Sequence, residues 1–265
     1  MPPQKSFCQQ PLPTDSTPMP LNFTDISALG KLRISGEAAA RFISTLFTAD
    51  MTSLDAMGGA TASLLLNGEG EIIDLVLLIR TGDREYMVST NEACRQEVYE
   101  WLTAHSTLSD EAGALFEDLA ITDESSQLAC VALFGEGSQA VLEELAGAEL
   151  LAFPHSGALT MAQLDTVAAL ILASPVLPGE NYELFCQPAA AEGLQYAFMS
   201  FPEVQPASFA EYVEQRIQAQ TWFAAADSAE YTFPAEAGLE HLLRLSNDFV
   251  GAQALRHRNG SQPEA

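Results

Sequence analysis

The chain has 265 residues, 48% of them hydrophobic, enough to bury a sizeable core in two subdomains. Its 11 Lys+Arg face 36 Asp+Glu, a formal net charge of -25 at pH 7, and a field of that sign repels nucleic acid and anionic membrane surfaces. Cys8, Cys94, Cys130 and Cys186 are far apart and form no C-x-x-C pair, which argues against zinc or iron–sulfur ligation and for a reduced, cytoplasmic chain.

Residues 1–22, rich in Pro, Gln and Thr, read as a segment without structure of its own, and they carry no basic-then-apolar signal pattern. Order is expected from Phe23. Lys31-Leu32-Arg33-Ile34 alternates polar and apolar, as a strand does. Ser35 or Gly36 then caps a helix over Ala38–Phe47, with Ala39, Phe42, Ile43 and Leu46 on one stripe. Gly58-Gly59 breaks the chain before LLLNGEGEIIDLVLLIR, Leu64 to Arg80. Two apolar runs around Asn67-Gly68 predict a hairpin. The return run, Ile72 to Ile79, is apolar except at Asp74. A charge there is costly unless it is paired, lies at a wet end, or is used, and a solvated edge and a functional role both fit.

A second hairpin pairs Ile73–Ile79 with Tyr86–Ser89 around Thr81-Gly82-Asp83-Arg84. Thr90 or Asn91 is expected to cap the next helix, with Cys94, Val98, Trp101 and Leu102 inward, and Leu115–Ile121 reads as a short strand. The pattern then recurs: a strand over Leu128–Phe134, a turn at Gly135-Glu136-Gly137, a helix over Ser138–Leu145. Thr166–Ala173 and Tyr182–Cys186 form another hairpin, and Pro188 opens a helix through Phe198. The chain thus contains two β-α-β-β-α-like units, which predicts an α+β fold of two related ferredoxin-like subdomains, residues 23–122 and 123–255. Ser208–Ala219 is amphipathic, with Phe209, Tyr212, Val213 and Ile217 inward; residues 256–265 read as a disordered tail. The run Ala168–Ala173 is too short to span a bilayer. His105, His155, His241 and His257 lie in no triad or metal spacing, and no metal site is expected.

Several motifs, in order along the chain, resemble those of the glycine-cleavage T-protein (aminomethyltransferase) family. Phe23–Gly36 is similar to its opening strand, Leu46-Phe47-Thr48-Ala49-Asp50 to its LLTND, and Leu66-Asn67 with Gly70 to its LNxxGG hairpin. Gly179–Phe185 resembles GEDGFEIF, one residue shorter. Phe233–Leu239 and Asp248–Leu255 resemble PLEAGL and DFIGREAL. The resemblance implies a tetrahydrofolate-binding fold and a reaction moving an aminomethyl or methyl group from a small-molecule amine donor to tetrahydrofolate. It also implies a ring of three domains around the folate. The two units here are the first two; the third, a small barrel, would begin where this chain stops, so that wall is either absent or supplied by a second protein chain.

The site residues implied are Asp74 as catalytic carboxylate and Glu180, Glu183, Arg216, Asn67 and Tyr182 as folate-binding residues. Without the resemblance, Glu180 and Glu183 read as a hairpin-turn acid and a strand acid on a wet face. Departures matter as well. The family's hairpin reads GGxxDDL with the second Asp catalytic, and the ungapped register puts Asp74 on the first and Leu75 on the second. Side chains one residue apart on a strand face opposite sides, so a bulge must rescue Asp74 or the catalytic carboxylate is gone. The family's Arg-x-Glu-Ala-Gly keeps only its Arg and Ala in the stretch from Arg216 to Gln220. Two functions therefore stay open: a folate-dependent transferase, or a non-catalytic folate-binding or scaffold protein that needs a partner subunit.

Overall fold

The computed structural model describes residues 20–111, 113–147, 154–219, 221 and 233–260. Most of the expected N-terminal segment, and the tail beyond 260, lie outside them.

In chain order the elements are β1 (Asn22–Asp25), β2 (Gly30–Ser35), α1 (Ala39–Leu46), β3 (Ala60–Leu66), β4 (Ile72–Gly82), β5 (Glu85–Thr90) and α2 (Arg95–Ser106). There follow β6 (Ser109–Asp110), β7 (Gly113–Ala114), β8 (Ala120–Asp123), β9 (Ala129–Phe134), α3 (Ser138–Ala146), β10 (Ala158–Leu164), β11 (Val167–Ala173) and β12 (Asn181–Cys186). The last are α4 (Pro188–Met199), β13 (Gln205–Pro206), α5 (Phe209–Gln218) and α6 (Ala252–Gly260). One sheet has the order β3-β4-β5-β2-β8 and the other β10-β11-β12-β9-β1-β13.

Strand alternation builds the layers. On β2, β4 and β5, Leu32, Ile34, Val76, Leu78 and Val88 face outward and bury Phe42, Ile43 and Leu46 of α1 and Val98 and Leu102 of α2. On the second sheet Val131, Leu133, Ile171 and Leu184 do the same for α3 and α4. The opposite faces meet each other: Leu77, Ile79 and Met87 pack against Ala132, Phe134, Leu172 and Phe185, with Tyr212 of α5 between them. The protein is α+β, stacked helix–sheet–sheet–helix. At one edge the sheets join where Ala60 N–H donates to the Gly157 carbonyl (2.8 Å) and Leu159 N–H to that of Gly58 (2.7 Å).

Each repeat is a strand, a helix, a three-stranded meander and a helix. The sequence pattern misses β10, the counterpart of β3, because it is a half-buried edge strand with a weak apolar alternation. Of the expected strand over Leu115–Ile121 only Ala120 and Ile121 are in a strand, β8, which runs on to Asp123.

The boundaries drawn on the sequence do not match the sheets. β1 pairs antiparallel with β9 of the second sheet, Phe23 opposite Leu133, and the Phe23 ring packs 5.7 Å from that of Phe198. Conversely, the C-terminal segment covers the first sheet: Leu239, Phe249, Ala252 and Leu255 bury Leu64, Leu66, Ile72 and Leu75. Gly251, at φ +88°, permits this docking, since a Cβ there would lie 2.6 Å from the Asn67 carbonyl oxygen. The tail read as disordered from 256 is helical to Gly260. Among the described residues no helix is long and apolar enough to cross a membrane.

Candidate functional site

The site is built where the inner faces of the two sheets carry polar residues. From β12 comes Glu183, 1% exposed, opposite Ala132 and Leu172 of the inner face. Ser174 Oγ donates to its Oε1 at 2.8 Å and the Tyr212 hydroxyl at 3.4 Å. Burial raises its pKa, and the Arg216 charge and these hydrogen bonds work against that rise. Arg216 comes from the last turn of α5, with its guanidinium 5.9 Å from the Tyr212 ring centroid and Nη2 donating to the Thr221 carbonyl at 2.6 Å. The helix stripe explains its burial: Phe209, Tyr212, Val213 and residue 216 follow the i, i+3, i+4, i+7 spacing, and Ile217, expected inward, is 51% exposed.

A narrow cleft with about 10 Å³ of free volume lies here, lined by Glu183, Arg216, Leu75, Ser89, Thr90 and Asn91 among others. Lys31 is buried close by. Its ammonium donates to the Ser27 carbonyl at 2.7 Å; burial lowers its pKa and the Glu183 charge partly restores it. Alternation on β2 marked Lys31 as a polar-face residue, but in a two-sheet stack that face meets the other sheet rather than water. One signal was available, that this is one of only two lysines in the chain.

Asp74 lies on the other side of β4. It stands opposite Leu65, whose side chain belongs to the core under α1 and α2, whereas Leu75 stands opposite Leu64 on the inner face. A bulge is present, with Ile72 rather than Ile73 opposite Leu66, but it precedes Asp74 and leaves it on the helix side. Leu75 therefore faces the cleft, and a catalytic role for Asp74 by direct contact there does not fit this geometry. Nor is Asp74 on a wet edge: it is fully buried. Its Oδ2 accepts from the Thr90 hydroxyl and from Asn91 N–H (3.0 Å), and Oδ1 accepts from Asn91 Nδ2 (2.5 Å). Burial pushes its pKa up to about 6 despite these bonds. Asn91, expected as a helix cap, makes no side-chain cap.

The remaining candidates are elsewhere. Glu180 Oε2 accepts from the backbone N–H groups of Gly137 (3.1 Å) and Gln139 (2.8 Å), where it satisfies the start of α3. Asn67 organises the β3–β4 turn: Oδ1 accepts from Glu69 and Glu71 N–H, both at 3.0 Å, and Nδ2 donates to Glu71 at 2.6 Å. Tyr182 lies on the helix side of its sheet, hydroxyl 3.5 Å from Gln139, its pKa pushed by burial to about 12. Of the six residues implied by resemblance, Glu183 and Arg216 meet at the cleft. Among the described residues no three His, Cys, Asp or Glu side chains are grouped to hold a metal ion.

Fold and site together define a class: an α+β protein of two facing sheets whose buried charges converge on the space between them. Residues 20–247 match the family model described as the GCVT N-terminal domain, and the chain belongs to that family. It is 23% identical over 244 residues to an aminomethyltransferase of Geobacillus kaustophilus, covering 90% of this chain and 64% of that protein. It is 27% identical over 236 residues to that of Thermotoga maritima (87% and 62%) and 29% over 223 residues to that of a Picosynechococcus species (83% and 58%). The chain thus spans about six-tenths of the length of these curated relatives. Among solved structures, the glycine cleavage system aminomethyltransferase T of Bartonella henselae superposes with a TM-score of 0.74 at 20% identity, over 92% of this chain and 64% of that one, a likeness of fold.

Proposed function

We propose that this chain binds tetrahydrofolate between its two sheets, as a folate-binding member of the aminomethyltransferase family. One observation carries the reading. Glu183 is buried in the cleft, both hydroxyl donors reach its Oε1, and among the described residues no donor reaches Oε2. A carboxylate oxygen left to a ligand in this way is suited to accept from the amino and ring N–H groups of a pterin, with Arg216 balancing the charge. Leu75 and Leu77 supply apolar wall. The donor set fits the ligand; the free volume, about 10 Å³, is room for about one water and far below the roughly 300–1,000 Å³ of ordinary ligand pockets, so binding requires the two sheets to part around the pterin.

The family's reaction, transfer of a one-carbon unit from an amine donor to tetrahydrofolate, needs a carboxylate near the reacting nitrogen to stabilise positive charge and manage a proton. The hairpin residue facing the cleft is Leu75, with Asp74 behind it. That favours binding without transfer by this chain alone, with a partner as the source of any acid–base group.

Calorimetric titration of the full chain with tetrahydrofolate tests the binding. Wild type is expected to bind, and Glu183→Gln to bind at least about tenfold more weakly, the scale of one charge-assisted hydrogen bond. Equal affinities would remove Glu183 from the site, and no binding by wild type would end the folate reading. Aminomethyl transfer to tetrahydrofolate by the isolated chain would overturn the non-catalytic reading in favour of a transferase.

A further inference from the structure

We infer that Asp74 is a positioning residue of the cleft: from the opposite face of the sheet its carboxylate holds Thr90 and Asn91, two residues of the cleft wall. The inference rests on the folate reading above and goes beyond it in assigning a role to a residue outside the cleft.

Three donors converge on Asp74, and all three come from the wall: the Thr90 hydroxyl, Asn91 N–H and the Asn91 side-chain amide. Both residues sit where β5 ends: Thr90 is still paired with Gly30 of β2 but lies beyond the ladder with β4, and Asn91 lies beyond both ladders. Asn91 stands at the N-cap of the short turn Glu92–Cys94, where an Asn side chain ordinarily accepts from the backbone. Here its amide turns to Asp74 instead. The methyl of Thr90 packs so closely on Gly30 that a Cβ there would lie 2.4 Å away, so the Thr90 rotamer is set by Gly30 on one side and Asp74 on the other. β4 is buried and apolar from Ile72 to Ile79 except at this residue, and an apolar side chain would fill the position without the cost of a buried charge. A rigid central strand is also a firm anchor for the wall of a binding site.

Asparagine at this position keeps the shape but replaces one acceptor with a donor, so Asn91 must turn its amide over and present the opposite polarity. The test is tetrahydrofolate affinity by calorimetry for the full-length wild type, Asp74→Asn, Asn91→Ala and the double variant, with a thermal melt of each. Expected are cooperative melts, affinity about tenfold weaker in each single variant, and a double variant weakened by less than the two losses combined, because Asp74 acts in part through Asn91. Wild-type affinity in a cooperatively folded Asp74→Asn would overturn the inference and leave folate binding standing. So would fully additive losses. No binding by wild type would overturn the folate reading and this inference with it. If Asp74→Asn does not fold, Thr90→Val removes one donor at nearly constant shape: weakened binding supports the inference, unchanged binding overturns it.

Discussion

Asp74→Asn is expected to raise the unfolding free energy by up to about 3 kcal/mol at about pH 7, and to change it little at about pH 4. The reason is linkage. Burial moves the carboxyl from 3.8 when unfolded to about 6 when folded, about two pH units at 1.36 kcal/mol each. Between those values the folded chain holds a proton that the unfolded chain has lost. Stability from this group is therefore fully present below about pH 4, falls as pH rises, and levels off above about pH 6. Asn is neutral throughout and has no such slope. Glu183 shifts in the same direction and Asp50, Asp123 and Glu211 in the opposite one, so the quantity to follow is the difference between variant and wild type. Urea unfolding of both proteins across pH 4 to 8 measures it. A difference flat with pH would mean that the carboxyl is not destabilised by burial. Stabilisation at neutral pH together with weaker folate binding would mark a residue kept for the site at the expense of the fold.

Gly36→Ala and Gly135→Ala are each expected to destabilise by about 3 kcal/mol or more, lowering Tm by roughly 6–12 °C. The two glycines occupy the same place in the two repeats, after β2 and after β9. Both lie at positive φ, +119° and +106°. A Cβ at Gly36 would fall 1.9 Å from the Asp118 carbonyl oxygen, and one at Gly135 would fall 2.2 Å from that of Pro20. Both obstacles are backbone and cannot swing aside. Each belongs to the segment leading into the strand that lies against the repeat's first strand: β8 beside β2, β1 beside β9. Gly68→Ala is the control, with nothing within 4 Å and no positive φ, and is expected to stay within about 0.5 kcal/mol of wild type. Differential scanning calorimetry of the three variants checks this. If Gly36→Ala and Gly135→Ala melt like Gly68→Ala, the strands do not cross these turns as described.

The Gly36 and Gly135 turns were legible as a repeat because each repeat writes its strand, glycine and helix locally, in the 2- and 3.6-residue periods that side-chain geometry imposes. The Asn67 hairpin and the buried stripe of α1 were legible for the same reason, and the order of short motifs was enough for the family resemblance. Which sheet β1 joins was not, since Asn22–Asp25 reads the same beside β9 as beside β2, and a pairing over more than a hundred residues leaves no local period. Lys31 and Asp74 define the other limit. Alternation separates a wet face from a dry one, but both faces of these sheets are buried, one under helices and one under the other sheet. A polar residue in such a strand can point either way. The pairing of Asp74 with Leu65 and of Leu75 with Leu64 settles the orientation: the leucine faces the cleft, and the aspartate lies behind its wall.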